Sequence, residues 1–170
     1  MKALKSALDS ANVTYIHVST PHILRILAKS EPRSLRCFRR RYDEVIFASI
    51  LDFHRKTKSP FMINSYPFFE YTDKTLDYAL FKTNDGVLDK VTGLTYTNMF
   101  DAQLDAVHSA MEEIKYSDVD IVVAETGWPS KGDPNQPYAN KNNMLLLLEI
   151  LNDCILYFSV KEYTRVLLDI

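Results

Sequence analysis

The stretch that most constrains this chain is Asp120-Ile121-Val122-Val123-Ala124-Glu125-Thr126-Gly127-Trp128-Pro129-Ser130. Four apolar residues lead straight into a carboxylate and then into a Gly-Trp-Pro turn. A short apolar run bounded by a charge and by turn residues predicts a strand buried on both faces. Burial on both faces is what a parallel sheet covered by helices imposes. In barrels and doubly wound sheets the carboxyl end of such a strand carries the chemistry, and Glu125 occupies that end. The plain alternative is a strand-terminal Glu that simply reaches solvent; the neighbouring blocks must decide between the two.

Much of the remaining chain alternates in the same style. Over residues 1–11, Leu4 and Leu8 stand at i, i+4 with Ala3, Ala7 and Ala11 on an adjoining face, which predicts a short amphipathic helix. Val13 to Thr20 is β-branched and aromatic and predicts a strand stopped by Pro21. His17 and His22 flank its end and read as satisfied or exposed histidines rather than as ligands. Residues 23–44 read as a long connection containing Pro32. Over residues 44–57, Val45, Ile46, Phe47, Ile50, Leu51 and His54 mark a helical apolar band. It ends in Arg55-Lys56-Thr57-Lys58, cations suited to a helix C-terminus.

Phe61-Met62-Ile63-Asn64-Ser65-Tyr66, between Pro60 and Pro67, predicts a second buried strand. Its two-residue period puts Asn64 and Tyr66 on one face at the carboxyl end. Phe68, Phe69 and Tyr71 follow at once. Such a cluster forms a sugar or ligand shelf, or it packs under a loop; the residues alone leave both open. Residues 72–96 carry turn signals at Thr72-Asp73-Lys74, Asn84-Asp85-Gly86 and Thr92-Gly93, and read as loop. Asn98 to Lys115 predicts the clearest helix, with Leu104, Val107, Met111 and Ile114 at steps of three and four and Thr97 or Asn98 as its cap. Repeated βα alternation predicts an α/β fold with a parallel sheet and covering helices. Residues 144–170 break the pattern. They predict an amphipathic or buried helix, too short and interrupted to span a membrane, and not a separate domain.

Composition removes several function classes. Lys plus Arg is 20 and Asp plus Glu is 22, a formal charge of −2, so no global basic field attracts nucleic acid or a membrane surface. The basic run of Arg33, Arg36, Arg39, Arg40 and Arg41 is interrupted by Leu35, Phe38 and Tyr42, and reads as a solvated face rather than an RNA-binding arm. Cys37 and Cys154 are too few for a disulfide framework and lack metal spacing. No metal site is expected. With only four Gly, cofactor loops are not expected either. The charged N-terminus has no continuous apolar core and is not read as a signal peptide. Asn12-Val13-Thr14 is a glycosylation sequon, relevant only to a secreted protein.

Three blocks carry a resemblance. Ile121 to Ser130 resembles the signature of glycoside hydrolase family 17, the plant endo-1,3-β-glucanases and their relatives. Pro60 to Phe69 resembles the family's Asn-x-Tyr-Pro-Tyr/Phe-Phe block, and Asn98 to Val107 resembles its helix before the nucleophile strand. Val18-Ser19-Thr20-Pro21-His22 is similar to its preceding strand. Order and spacing agree over residues 1–143, with residues 144–170 a divergent apolar tail. The resemblance implies roughly the fifth to seventh βα units of a TIM-type (β/α)8 barrel, an incomplete one, since such barrels run to about 250 residues or more.

It also implies hydrolysis of O-glycosyl bonds in β-1,3-glucan with retention, which uses two carboxylates about 5–5.5 Å apart. Glu125 corresponds to the nucleophile. Tyr66 would be its hydrogen-bonding neighbour, Asn64, Phe68 and Phe69 would shape the sugar groove, and Trp128 would pack the turn. An extracellular or cell-wall location and a monomer acting on glucan without cofactor follow from the same likeness.

Two departures accompany it. The family's acid/base lies in a Gly-Asn-Glu motif on the fourth strand, and its eighth strand carries Phe-Asn-Glu; neither tripeptide occurs in the 170 residues. The expectation is therefore a half-equipped site, inactive by itself, as a truncated gene model or a read-through product would give. A non-catalytic glucan-binding module or a non-functional truncated product is the alternative.

Overall fold

The computed structural model describes residues 1–28, 35–40 and 43–157. Among the described residues five α-helices and five strands form in the order α1 (Lys2–Ser10), β1 (Pro21–Ile23), α2 (Ala48–Thr57), β2 (Phe61–Asn64), α3 (Leu76–Ala79), β3 (Val87–Leu88), β4 (Thr95–Tyr96), α4 (Met99–Glu113), β5 (Ile121–Glu125) and α5 (Lys141–Tyr157). The main sheet is β1-β2-β5, parallel throughout. β3 and β4 form a separate antiparallel hairpin.

The buried strands fall where the apolar runs place them. Phe61 and Ile63 of β2 and Ile121 and Val123 of β5 turn one face of the sheet into the core, joined by Leu51 of α2 and by Val107, Ala110 and Met111 of α4. Leu104 also belongs to that core, and Ile114 packs against it from the residue that ends α4. The cap on α4 is Asn98, whose Oδ1 accepts from the Asp101 N–H at 2.8 Å and whose Nδ2 donates to the Asp101 carboxylate. At the end of α2 the Arg55 guanidinium bonds the Asp118 carboxylate and lies 4.1 Å from the centre of the Tyr116 ring. That contact ties the helix to the turn feeding β5.

Two expectations change. Val13 to Thr20 is not a strand. Pairing begins at Pro21, where the extended chain meets β2, with Pro21 opposite Met62. Tyr15 and Ile16 are exposed, so their β propensity finds no partner to pack against. Proline has no N–H and is accepted at the first residue of a strand; here it opens the strand instead of closing it. Residues 72–96 are not all loop either. Leu76–Ala79 makes one helical turn whose Tyr78, Ala79 and Leu80 reach the core, and the hairpin follows. Gly86, at φ +74°, is required there, because a Cβ would come within 2.6 Å of the Thr95 side chain.

Of the basic run, Arg36, Arg39 and Arg40 lie among the described residues and Arg33 and Arg41 outside them. Phe38, which interrupts that run, is a core residue stacked on Phe47 at 4.4 Å. Helix α5 spans the 143/144 junction and sends Leu147 and Leu151 into the same core. Residues 158–170 lie outside the described part. Among the described residues no helix is long and apolar enough to cross a membrane.

Two histidines, His22 of β1 and His54 of α2, pack on the Phe61 ring. His22 stacks on Phe61 at 4.9 Å, and His54 meets the same ring edge-on while its Nδ1 bonds Ser59 Oγ at 2.9 Å. Neither Nε2 has a hydrogen-bond partner. Burial, with a smaller contribution from His22, pushes the His54 pKa down to about 4, and burial lowers that of His22. Both are therefore neutral in the folded chain at pH 7. Unfolding restores a pKa near 6.5, so between about 6.5 and 4 the unfolded state binds the extra proton. Stability is full above that window and falls as pH drops through it, by on the order of 2–3 kcal/mol for His54. Urea midpoints at pH 7.5 and pH 4.5 should show this loss, and a His54→Gln variant should flatten it. Equal midpoints for the parent chain would refute the assignment.

Candidate active site

The carboxyl ends of β2 and β5 bring the predicted residues together. Phe61 pairs with Ile121, Met62 with Val122 and Ile63 with Val123, but Asn64 pairs with Glu125, so the register slips past Ala124. Side chains alternate faces along a strand. Without the slip Glu125 would share the face of Ile121 and Val123 and point into the helix-covered core. The extra residue turns it onto the face of Val122, Met62 and Asn64, where it reaches solvent. Bulges beside functional sites commonly re-aim one side chain in this way.

Tyr66 Oη donates to Glu125 Oε2 at 3.0 Å. Burial, then this hydrogen bond and the carboxylate's charge, raise the Tyr66 pKa above its ordinary value. The phenol therefore remains a donor across neutral pH. Among the described residues no protein donor takes the other oxygen, Oε1, which leaves it open to solvent chemistry. One backbone link runs beside this one: the Ser65 N–H donates to the Glu125 carbonyl at 2.9 Å.

The aromatic residues divide into two groups. Phe69 is 76% exposed and stands edge-on to Tyr66 at 5.4 Å. Phe68 turns beneath the turn, 5.0 Å from the buried Trp128 and 5.5 Å from Tyr71. Trp128 packs on Tyr71 as well, and its Nε1 donates to the Tyr138 carbonyl at 2.7 Å. So Trp128 packs the Gly-Trp-Pro turn, and Phe68 is part of that packing. Asn64 stands level with Glu125, and its buried Oδ1 has no protein partner. Among the described residues no group of three His, Cys, Asp or Glu side chains is placed to hold a metal ion.

Sequence inspection passed over two residues. Ser65 Oγ donates to Gln103 Oε1 at 2.8 Å, and both side chains are buried. The available signal was Gln103 itself, a polar residue on the face of α4 that also carries Met99, Ala106 and Ala110.

A parallel βα sheet with a carboxylate, its tyrosine donor and an exposed aromatic ring at the strand ends defines an α/β protein with its site in the manner of barrel enzymes. The comparisons with known proteins narrow that class. The chain belongs to the glycosyl hydrolases family 17, whose model matches residues 1–147. It is similar to a glucan endo-1,3-beta-glucosidase of Triticum aestivum, 48% identical over 137 residues, which cover 80% of this chain and 30% of that one. With glucan endo-1,3-beta-glucosidase 14 of Arabidopsis thaliana the identity is 40% over 151 residues, 86% of this chain and 38% of the relative. Among solved structures it superposes on a beta-1,3-glucanase and allergen of Cryptomeria japonica pollen with a TM-score of 0.81 and 38% identity, covering 96% of this chain and 50% of that one. The chain thus spans a third to a half of the length of these relatives. Its sheet and helices are part of a TIM-type barrel.

Proposed function

We propose that this chain carries the nucleophile side of a retaining β-1,3-glucan hydrolase site, with Glu125 as nucleophile, Tyr66 holding one of its oxygens, and Asn64 and Phe69 beside the sugar. The Tyr66–Glu125 hydrogen bond at the strand ends supports this most directly. It fixes the carboxylate while leaving Oε1 to attack an anomeric carbon, and orientation of that kind is a large part of what such sites contribute. Phe68 supports the groove from below by packing against Trp128. The relatives' names supply the glucan and its 1,3-β linkage. A polymer of that kind supports an extracellular or cell-wall location for the protein. Asn12 of the sequon is exposed there as an accessible glycosylation acceptor.

The test uses a 2-deoxy-2-fluoro laminaribioside with a dinitrophenolate leaving group. Glu125 Oε1 forms the bond to the anomeric carbon, the carbon–oxygen bond to the phenolate breaks, and the phenolate departs without needing a proton. Mass spectrometry should find the sugar on the peptide containing Glu125. Laminarin is a different demand, because its leaving sugar requires an acid. Neither Gly-Asn-Glu nor Phe-Asn-Glu occurs in the 170 residues, so this chain should hydrolyse laminarin poorly or not at all.

One observation favours a binding role as a second reading: the ring of Phe69 is open to solvent beside the site. An open aromatic face of this kind suits the stacking of a sugar ring. If binding alone is the function, insoluble β-1,3-glucan should retain the Glu125→Gln chain and release the Phe69→Ala chain. Loss of retention in both variants would sink the binding role.

A further inference from the structure

Gln103 is a costly residue to place where it is. It is 1% exposed on α4, and its neighbours there include Phe100, Ala102, Ala106 and Val107, all buried. Its Oε1 accepts one hydrogen bond, from Ser65 Oγ at 2.8 Å, while its Nε2 is buried without a partner. A buried amide half satisfied in this way costs stability relative to an apolar residue of the same volume. A methionine or leucine would cover the sheet at least as well, so the amide is explained by what it holds.

What it holds is Ser65, the first residue beyond β2. Ser65 and Tyr66 are the segment that touches Glu125 twice, through the Ser65 N–H on the Glu125 carbonyl at 2.9 Å and through Tyr66 Oη on Oε2 at 3.0 Å. This segment lies just past the register slip at Ile63/Asn64, where the regular pairing of β2 and β5 has ended. The Ser65 N–H holds the Glu125 carbonyl on one side, and the Ser65 hydroxyl is held on the other by Gln103 of helix α4, so the residue that precedes Tyr66 is fixed between β5 and α4.

We propose that Gln103 is a positioning residue for Glu125, acting through Ser65 and Tyr66. The proposal rests on the reading of Glu125 as nucleophile only for its consequence, since the positioning itself is measurable without turnover. A displacement of about 1 Å at a reacting group commonly costs 10²-fold in rate, so labelling of Glu125 by the fluorosugar should slow by roughly 10- to 100-fold when the clamp is removed.

The test compares the parent chain with Ser65→Ala/Gln103→Met. That double variant replaces both partners by apolar groups of similar shape and removes the orphaned Nε2, so it should fold and melt at the parental temperature or above. The chain is labelled with [13C-ζ]tyrosine, and the Tyr66 signal is identified by its loss in Tyr66→Phe. In the parent, Tyr66 should titrate above the ordinary tyrosine value of about 10. In the double variant its midpoint should fall towards that value as the phenol loses its hold on Glu125. Ser65→Thr, which keeps the hydroxyl, should restore the parental midpoint. A folded double variant with the parental Tyr66 midpoint overturns the proposal, whatever happens to its melting temperature. A midpoint that falls in the double variant while the parent takes no fluorosugar supports the clamp and refutes the nucleophile reading instead.

Discussion

Glu125→Gln should abolish covalent labelling by the activated fluorosugar while leaving the thermal melt of the chain unchanged. The two halves of that expectation have separate physical grounds. Glutamine keeps the shape of the side chain and can still accept from Tyr66 Oη, so the bond at 3.0 Å survives in kind. The residue reaches solvent and buries nothing on which the core depends, so the change falls among surface substitutions worth about 0.5 kcal/mol or less. Chemically the amide oxygen is a far poorer nucleophile than a carboxylate, and removing a nucleophile costs roughly 10³-fold or more in rate. The experiment separates site from scaffold because the activated leaving group needs no acid. Parental labelling on a peptide without Glu125, or undiminished labelling of the variant, would remove the carboxylate from its assigned role.

The second large effect belongs to the core. Phe61 is fully buried at the start of β2 and is shared by three elements. His22 of β1 stacks on it at 4.9 Å, His54 of α2 meets its edge at 6.1 Å, and Phe38 and Phe47 each lie 6.4 Å away. Its backbone N–H donates to the Asp120 carbonyl at 2.8 Å, so the side chain anchors the residue from which the β2–β5 pairing starts. Phe61→Ala removes a ring that these four partners cannot all close over. The expected cost is about 3–5 kcal/mol, a large share of the 5–15 kcal/mol typical of a whole domain. In a chain of this size that is a fall in melting temperature of roughly 10 °C or more, or loss of the cooperative transition. Circular dichroism at 222 nm measures it. A shift of only a degree or two would mean that the aromatic cluster repacks freely, contrary to the close-packed arrangement described above.

How much of this was legible beforehand differs from element to element. The strand of Ile121–Glu125, the strand of Phe61–Asn64 and helix α4 with its Asn98 cap declared themselves, because each is governed by a local rule: an unbroken apolar run, a proline-bounded run, a capped three-four period. Val13 to Thr20 misled because propensity describes a residue's preference, whereas a strand needs a neighbour to pair with. The neighbour, β2, meets the chain only from Pro21 onward. Helix α3 was hidden because four residues are too short for a period to show.

The site divides along the same line. That Glu125, Tyr66, Asn64, Phe68 and Phe69 lie at or just past the ends of two buried strands could be read from the chain, because apolar runs closed by a charge or a proline are local patterns. That Phe69 faces solvent while Phe68 packs on Trp128 could not be, since adjacent rings in a tight turn are sorted only by what lies beneath them. Gln103 was missed for a related reason: its partner stands 38 positions away in the chain.

The amino-acid sequence by itself determined the βα alternation, the two strands that meet at the site and the identity of the carboxylate between them. Those properties follow from patterns a few residues long. Only the tertiary structure decided which way that carboxylate points. By strict alternation Glu125 belongs with Ile121 and Val123, inside the core. The slip past Ala124, beside the last residue of β2, sends it to the open face instead. Register is a property of two strands together, and neither strand carries it alone.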